Sequence, residues 1–323
     1  MRVLLIKLSS LGDVVHTLPA AMDIAACLPR ARIDWVVEPA FAPLLRQCPA
    51  LDRVIEMDLR RWRRQPWATE TRHAWRAFLT RLRAHEYDWV IDLQGLTKSA
   101  WVSHLAHVAS TGFRVAMAHR TEGSSYEAPT RWVANRLISV PTHIHAVDRA
   151  RAVCAQALAY DLPSFQPGLM RQRGANGPKA RQVLCVHGTS RDDKLWPEPL
   201  WIELGHRLQA DGWVPVFPHG SAAEEARAHR LNAAISGSLV WPRWPLDRLS
   251  AEMAELGGVI GVDSGLSHIA VALGLPHVQL YNFDTAWRTG PQHAAHQIGL
   301  VAAPCPALES VWQAWRQVLE VRP

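Results

Sequence analysis

The sequence predicts an α/β protein built from two doubly wound, Rossmann-like halves. Short apolar runs alternate with segments of helical periodicity along the chain. A buried strand followed by a polar turn and a helix start occurs three times. The length of 323 residues is sufficient for two domains, each with its own core.

The stretch 259–274, V-I-G-V-D-S-G-L-S-H-I-A-V-A-L-G, shows this unit most clearly. Its apolar start is typical of a buried parallel strand, and Asp263, Ser264 and Gly265 form the turn before a helix. Ligands of open α/β sheets bind at this end of the strands, and a helix start suits a phosphate. Asp263 is a candidate partner for a sugar hydroxyl, and His268 lies one turn into the helix. Alternatively, Asp263 or Ser264 is only an N-cap and His268 is a surface residue.

The first half, residues 1–165, alternates strand and helix as a doubly wound parallel domain does. The predicted strands are 2–6, 33–37, 54–57, 87–93 and 113–116, and the predicted helices are 14–27, 71–85, a helix from 97, and 146–160. Residues 117–145 show no clear periodicity. Asp13 lies where the loop after the first strand becomes helix, which suits an N-cap and equally a general base at the mouth of a cleft. The loop lacks G-x-G-x-x-G, which argues against a dinucleotide site.

Positive charge is concentrated in this first half. The net charge is +6, and residues 1–165 carry 21 Lys and Arg against 15 Asp and Glu, so the whole excess lies there. The most basic run contains Arg60, Arg61, Arg63 and Arg64, and Arg120 adds to the basic surface. Such a run is usually a solvated face, but guanidinium groups also suit phosphates and carboxylates. The distribution indicates an acidic partner.

The second half repeats the arrangement after a break. Residues 161–181 hold three Pro and three Gly without periodicity, so we expect a domain linker at 166–181. Strands are predicted at 182–186, at 213–217, at 259–262 and at 278–281, and the strand at 278–281 would be the last of the chain. Helices are predicted from 196 to about 210, from 219–225 onward, at 266–273 and at 308–319. A second domain would thus span 182–305, followed by a terminal helix within 306–323.

Polar side chains follow the first strand of this half. Thr189 and Ser190 offer hydroxyl groups, and Lys194 offers a positive charge for a phosphate. The plainer role for Lys194 is an ion pair with Asp192 or Asp193.

Two further candidates lie beyond the next strand. Glu224 is placed to accept hydrogen bonds from a ribose, although a solvated helix face is the commoner role of such a residue. Trp244, in a rigid W-P-R-W-P loop, is a candidate wall for a base pocket.

The composition excludes several classes of protein. No segment has 18 consecutive apolar residues, so a spanning helix is not expected. The apolar start is interrupted by Lys7, which makes it too short for a signal peptide. The five cysteines form no C-x-x-C pair, which fits a reduced cytoplasmic protein and argues against a zinc site.

Five motifs carry a resemblance to a known family. They are K-L-S-S-L-G-D-V-V-H-T-L-P-A at 7–20, R-R-W-R-R at 60–64, D-L-Q-G-L-T-K-S at 92–99, R-D-D-K-L-W-P at 191–197 and D-S-G-L-S-H at 263–268. Together they resemble glycosyltransferase family 9, the inverting ADP-heptose transferases, and within it the heptosyltransferases of type I. The resemblance covers nearly the whole chain. It implies a GT-B fold with two Rossmann-like domains facing a central cleft, and a terminal helix that crosses back to the first domain.

The resemblance also implies an activity and its residues. The activity is transfer of L-glycero-D-manno-heptose from ADP-heptose to the first Kdo of Kdo2-lipid A, at the anionic cytoplasmic face of the inner membrane, with no metal, cofactor or nucleic acid. Asp13 matches the catalytic base, and Lys194 matches the lysine that meets the donor diphosphate. The other implied donor-binding positions in 182–305 are Thr189, Ser190, Glu224, Trp244, Asp263, Ser264, Gly265 and His268. The implied acceptor-binding positions in 1–165 are Ser10, Arg60, Arg61, Arg63, Arg64 and Arg120.

The chain departs from the family in places, and other functions are weighed against this one. Ser190 and Ser264 stand where threonine is common, Trp244 stands where many relatives have methionine, and 117–142 matches poorly. One rival is a related heptosyltransferase with another lipopolysaccharide-core acceptor. Others are a nicotinamide-dependent oxidoreductase and a non-enzymatic protein that binds anionic lipid or nucleic acid, which would leave Asp13 unexplained.

Overall fold

The computed structural model of the protein describes residues 1–169 and 181–321. The chain divides into two compact units, Met1–Gly168 and Leu169–Pro323. Most of the linker predicted at 166–181 lies outside the described residues. The predicted domain limits therefore stay predictions, and so does the predicted cleft between the two domains. Each unit is built around a sheet of its own.

Strands and helices alternate along the first unit. Its strands are β1 (Arg2–Ile6), β2 (Arg32–Val37), β3 (Arg53–Glu56), β4 (Tyr87–Asp92), β5 (Val108–Met117) and β6 (Arg136–Ile138). Its helices are α1 (Leu11–Cys27), α2 (Ala42–Leu45), α3 (Leu59–Arg64), α4 (Thr69–Leu82), α5 (Thr97–Leu105), α6 (Pro129–Val133) and α7 (Ala146–Leu158). Neighbouring strands are parallel, as helical crossovers require.

The strand order in this sheet is β3-β2-β1-β4-β5-β6. The order reverses between β1 and β4, where Leu5 lies opposite Ile91. In a doubly wound sheet this reversal opens a crevice at the carboxyl ends of the two strands, where ligands bind. The fold therefore directs attention to the loops after β1 and β4.

The second unit has the same design. Its strands are β7 (Gln182–Val186), β8 (Val214–Phe217), β9 (Leu239–Val240), β10 (Gly258–Val262), β11 (His277–Tyr281) and β12 (Gln297–Val301). Its helices are α8 (Glu198–Ala210), α9 (Ala222–Ala234), α10 (Leu246–Ala254), α11 (Gly265–Ala272), α12 (Ala286–Thr289) and α13 (Leu308–Glu320), and Asp192–Lys194 forms a 3₁₀ turn. The order β12-β11-β10-β7-β8-β9 is that of the first sheet read from the other edge. The reversal falls between β7 and β10, where Cys185 lies opposite Ile260.

The central strands are apolar because both faces of each sheet are covered by helices. Leu4 and Ile6 of β1 are fully buried in the first unit, and Ile260 and Val262 of β10 are fully buried in the second. This burial explains why the short apolar runs predicted the strands. Within residues 1–169 and 181–321, every helix is too short or too polar to span a bilayer.

The terminal helix α13 packs against β11, β12 and α8 of its own unit. Its expected crossing back to the first domain stays a prediction. Val311 and Trp315 on its apolar stripe are fully buried in that unit's core. The helix thus covers one face of the second sheet.

Three edge strands correct the strand predictions. The strand at 278–281 is not the last of the chain, because β12 follows and pairs with β11. Residues 117–145, left without assignment, contain α6 and the three-residue strand β6, which pairs with β5. The two-residue strand β9, which pairs with β8, was not predicted either. Each of these strands has a single neighbouring strand, so its sequence lacks the long apolar run of a central strand.

Candidate functional site

The candidate site of the first unit begins where α1 starts, directly after β1. Ser10 is the N-cap of α1, and Asp13 Oδ2 accepts hydrogen bonds from the Ser10 amide (3.1 Å) and hydroxyl (2.8 Å). Asp13 is therefore not the N-cap, which is Ser10, but lies in the first turn of α1, where its carboxylate accepts from the N-cap amide as the acidic partner of a capping box does. The Asp13 side chain nevertheless remains 38% exposed. A substrate hydroxyl is able to reach it, so capping and proton transfer are compatible.

Lys7, a buried cation at the end of β1, was missed as a site residue. Its Nζ donates to the Leu93 carbonyl (3.0 Å) and lies 3.6 Å from Asp13 Oδ1. Burial lowers the pKa of Lys7, an effect that Asp13 opposes and Arg149 increases. Burial alone would raise the pKa of Asp13, but Lys7, the Ser10 hydrogen bonds and Arg149 outweigh it and lower that pKa. Asp13 is thus held in the ionised form that a general base requires.

The loop after β4 fixes the loop after β1. Buried Asp92 accepts hydrogen bonds from the amides of Gln94 (2.9 Å) and Gly95 (3.1 Å), and burial raises its pKa to about 6 against the effect of these bonds. Gln94 Oε1 accepts in turn from the amides of Leu8 (3.0 Å) and Ser9 (3.1 Å). These side chains were not predicted as site residues, although D-L-Q-G was among the family motifs.

Lys98, on α5, connects this loop to the basic surface. Its Nζ donates to Ser9 Oγ (2.9 Å) and to Glu38 Oε1 (3.1 Å). Arg60 Nε lies 3.2 Å from the other carboxylate oxygen of Glu38. One of the predicted acceptor residues is therefore linked through two ion pairs to the loop that precedes Asp13.

The other predicted acceptor arginines lie at the surface. The helix α3 is anchored by Trp62, which is buried and packs edge-on against Trp75 at 5.5 Å between ring centroids. The arginines around it and in the loop after β5 are all exposed: Arg60, Arg61, Arg63, Arg64 and Arg120. A solvated face and a receptor for acidic groups both fit this arrangement.

The candidate site of the second unit lies between the loops after β7 and β10. Lys194 Nζ donates to Asp263 Oδ2 at 2.6 Å, and His268 Nε2 lies 3.4 Å from Asp263 Oδ1. Burial would raise the pKa of Asp263, but His268 and Lys194 outweigh it and hold the pKa well below its usual range. The ion pair of Lys194 with Asp192 or Asp193 that was considered is wrong, because Lys194 pairs with Asp263. Asp193 pairs instead with Arg191.

The residues around this ion pair are ordered by the strand ends. Thr189 Oγ1 donates to the Asp263 carbonyl (2.9 Å), which ties the two loops together, and Ser190 is exposed. Ser264 is the N-cap of α11, and Gly265 is the first residue of that helix. The buried Ser264 hydroxyl has no hydrogen-bond partner among the described residues. An unpaired hydroxyl thus lies at the N-cap of α11, next to the first amides of the helix, which have no partner within it.

His268 and Asn282 complete the surroundings of the Lys194–Asp263 pair. His268 is buried, so the surface alternative considered for it was wrong. Asn282, immediately after β11, donates through Nδ2 to the carbonyls of Asp193 (2.9 Å) and Leu195 (3.0 Å). It thereby holds the 3₁₀ turn that carries Lys194. Nothing local in the sequence marks Asn282, because its partners lie almost ninety residues earlier.

Glu224 has a structural contact of its own. Its Oε2 accepts from the amides of Gly220 (2.7 Å) and Ser221 (3.0 Å) and so caps α9. A Cβ at Gly188 would lie 2.5 Å from Glu224 Oε1, so the absence of a side chain at 188 lets the carboxylate approach the loop after β7. Its role toward a ribose stays a prediction.

Trp244 is partly exposed beside α10. Its ring centroid lies 5.0 Å from that of Trp241, and the Arg248 guanidinium lies 4.7 Å above the Trp244 ring. The ring is therefore supported on its own unit by an aromatic and a cationic neighbour. Contact with a base stays a prediction.

Comparison with known proteins identifies the family. The family model of glycosyltransferase family 9 (heptosyltransferase) matches residues 75–310. The chain is 42% identical over 293 residues to lipopolysaccharide heptosyltransferase 1 of Pseudomonas aeruginosa, covering 90% of this chain and 81% of that protein. It is 37% identical over 286 residues to lipopolysaccharide heptosyltransferase 1 of Escherichia coli, covering 87% and 88%.

Solved structures agree with these relatives. E. coli heptosyltransferase WaaC with ADP matches with a TM-score of 0.87 at 32% identity, covering 98% of this chain and 100% of that one. WaaC with ADP-2-deoxy-2-fluoro heptose matches with a TM-score of 0.80 at 33% identity, covering 99% of both chains. The predicted resemblance and the α/β GT-B fold class are confirmed. The chain belongs to glycosyltransferase family 9, the heptosyltransferases.

Proposed function

We propose that this glycosyltransferase moves L-glycero-D-manno-heptose from ADP-heptose to the first Kdo of Kdo2-lipid A and inverts the anomeric centre. The observation that carries the proposal is the match over nearly the full chain to WaaC, solved with ADP and with an ADP-heptose analogue. In the present chain, Asp13 supplies a carboxylate at the start of α1, and Lys194, paired with Asp263, supplies a positive charge beside the start of α11. Membership of a heptosyltransferase family removes the oxidoreductase and pure binding alternatives.

The second unit is proposed to hold the donor diphosphate. Lys194, the Ser264 hydroxyl and the amides at the start of α11 are the groups that meet its oxygens. As the glycosidic bond breaks, its electron pair passes to the β-phosphate oxygen, and these groups stabilise the charge that develops there. Asp263 keeps Lys194 aimed at this place through their 2.6 Å contact. Thr189, Ser190, Glu224, Trp244, Gly265 and His268 complete the proposed donor site.

The first unit is proposed to activate the acceptor. Asp13 takes the proton of the Kdo hydroxyl while the hydroxyl oxygen forms a bond to the anomeric carbon. Inversion follows because attack and departure occur on opposite faces of the sugar. The proposed base is supported by its exposure of 38% and by the lowering of its pKa by Lys7, Ser10 and Arg149 against the effect of burial.

The basic surface is proposed to meet the acidic groups of the acceptor and of the membrane. The four arginines of α3 and Arg120 are exposed, and Ser10 lies beside the proposed base. Arginine pairs with phosphate and carboxylate through two parallel hydrogen bonds. A peripheral position on the anionic cytoplasmic face of the inner membrane follows, held by attraction that salt weakens.

Metal independence is part of the proposal, because Lys194 and the start of α11 supply positive charge for the leaving group. The test is a reaction of purified protein with ADP-heptose in EDTA, followed by mass spectrometry of the lipid. Kdo2-lipid A should gain one heptose, whereas Kdo2-lipid A that already carries one heptose should gain none. Preferred transfer to the heptosylated lipid would favour the related heptosyltransferase with another core acceptor.

A further inference from the structure

Lys7 is a buried charge in a place where the chain would otherwise continue an apolar strand. It follows four fully buried residues of β1, Val3 to Ile6, and its own side chain is 6% exposed. Burying an ammonium group is unfavourable unless other groups compensate for the lost water. The compensation comes from the Leu93 carbonyl at 3.0 Å and from Asp13 Oδ1 at 3.6 Å. The strand end thus places a fixed cation behind the proposed base.

The other charged groups around Asp13 act differently. Arg149, on α7, donates through Nη1 to Thr121 Oγ1 (3.2 Å) and influences both Asp13 and Lys7 electrostatically. Asp92, at the end of β4, is buried and acts on Lys7. His16, on α1, lines a small cavity with Lys7, Asp13 and Arg149. Among the separate effects that lower the pKa of Asp13, the charge of Lys7 is the largest.

The two oxygens of Asp13 therefore have separate environments. Oδ2 is occupied by the amide and hydroxyl of Ser10, whereas Oδ1 faces Lys7 at a distance longer than a normal hydrogen bond. Oδ1 accordingly keeps a lone pair for an incoming proton while a positive charge lies nearby. A direct hydrogen bond from Lys7 to Oδ1 would compete with the substrate hydroxyl.

We propose that Lys7 is a positioning residue for Asp13, whose buried ammonium group orients Oδ1 and keeps the carboxylate ionised until the acceptor hydroxyl arrives. The inference rests on the proposed function, in which Asp13 is the general base. Lys7 touches no reacting atom. It acts on the reaction only through the charge state and direction of the carboxylate.

The test compares Lys7→Gln with wild type across pH. Glutamine retains a donor for the Leu93 carbonyl but carries no charge. The largest single effect that lowers the pKa of Asp13 is then lost, so this pKa rises although Ser10 and Arg149 remain. The acid limb of the kcat/KM profile should move to higher pH by about one unit or more, as expected for loss of an opposite charge at this distance. Lys98→Met is the matched control, because it removes a lysine from the same loop cluster without touching Asp13. Lys98→Met should leave the acid limb where it is.

A second readout does not depend on turnover. The Asp13 carboxyl carbon, labelled with carbon-13 and assigned by its loss in Asp13→Asn, should titrate below the usual aspartate range in wild type and higher in Lys7→Gln. Lys7→Arg, which restores the charge, should return both the titration and the acid limb toward wild type. The wild-type titration remains decisive even if the Lys7 variants fail to fold.

The outcomes distinguish the positioning role of Lys7 from the role of Asp13 as the general base. A lower kcat in Lys7→Gln with neither the titration nor the acid limb moved would overturn the positioning role and leave Lys7 a purely structural residue. An ordinary or raised pKa of Asp13 in wild type would overturn it as well. A titration that moves while the acid limb does not would overturn the role of Asp13 as the base, and with it the use of Lys7 in the reaction.

Discussion

Replacing Lys194 by methionine tests the proposed donor site most sharply. The substitution keeps the length and apolar stem of the side chain but removes the ammonium that lies 2.6 Å from Asp263 Oδ2. The side chains of Lys194 and Asp263 are 20% and 8% exposed, so the lost contact lies where little water replaces it. Asp263 keeps His268 as a second partner at 3.4 Å. The fold should therefore survive the change.

The expected loss follows from the role assigned to the ammonium group. Removing one positioned donor that stabilises developing charge costs about 10² to 10³ in kcat, or roughly 2.7 to 4 kcal/mol. The ground-state contact with the diphosphate adds a loss in donor binding, since a hydrogen bond to a charged group contributes about 1.5 to 3 kcal/mol. The variant should thus show both a raised KM for ADP-heptose and a lowered kcat.

The assay measures initial rates of ADP release at varied ADP-heptose and saturating acceptor. Arg230→Met is the matched control, because Arg230 also forms a 2.6 Å ion pair, with Glu198, but lies 57% exposed on α9. Exposed pairs contribute little, so this control should stay within about twofold of wild type. If Lys194→Met matched the control in both kcat and KM, the charge of Lys194 would have no part in transfer.

Three further predictions concern the first unit. Asp13→Asn should lower kcat by about 10² to 10⁴ and leave ADP binding, measured by calorimetry, within about twofold; near-normal turnover would remove Asp13 from the base role. Arg63→Gln combined with Arg64→Gln should weaken sedimentation with anionic vesicles and flatten its dependence on salt, with neutral vesicles as the control; an unchanged salt dependence would place the lipid contact elsewhere. Gln94→Leu should lower the free energy of unfolding by about 1 to 3 kcal/mol, because the buried amides of Leu8 and Ser9 lose their acceptor. A melting temperature equal to that of wild type would show that these two hydrogen bonds do not stabilise the fold.

Much of the fold could be predicted because the central strands of both sheets are buried on both faces. The predicted strand 2–6 coincides with β1, and 182–186 coincides with β7. The edge strands β6, β9 and β12 were missed, since β6 and β9 are only three and two residues long and β12 contains a glycine, Gly299. The amphipathic pattern of α13 predicted a helix, but such a pattern alone does not identify the surface against which the helix packs.

The candidate site could be predicted in part, because its polar residues lie shortly after buried strands. Asp263 directly follows β10, Lys194 lies in the 3₁₀ turn after β7, and Asp13 lies in the first turn of α1. The structure pairs Lys194 with Asp263. The residues that hold these loops were missed, because their contacts join distant parts of the chain. Lys7 reaches Leu93 and Gln94 reaches Leu8, each across 86 residues. Local spacing carries no signal for such contacts, which only the strand order β1-β4 brings about.

The central claim is that this chain transfers heptose to the acceptor with Asp13 as the base. A single-turnover reaction with ADP-heptose, Kdo2-lipid A and excess enzyme, quenched over time and analysed by lipid mass spectrometry, tests it most directly. Wild type should convert the lipid to a product heavier by one heptose, while Asp13→Asn should bind ADP normally and form product at least about 10²-fold more slowly. An unchanged lipid mass with wild type, or equal rates for the two proteins, would contradict the account.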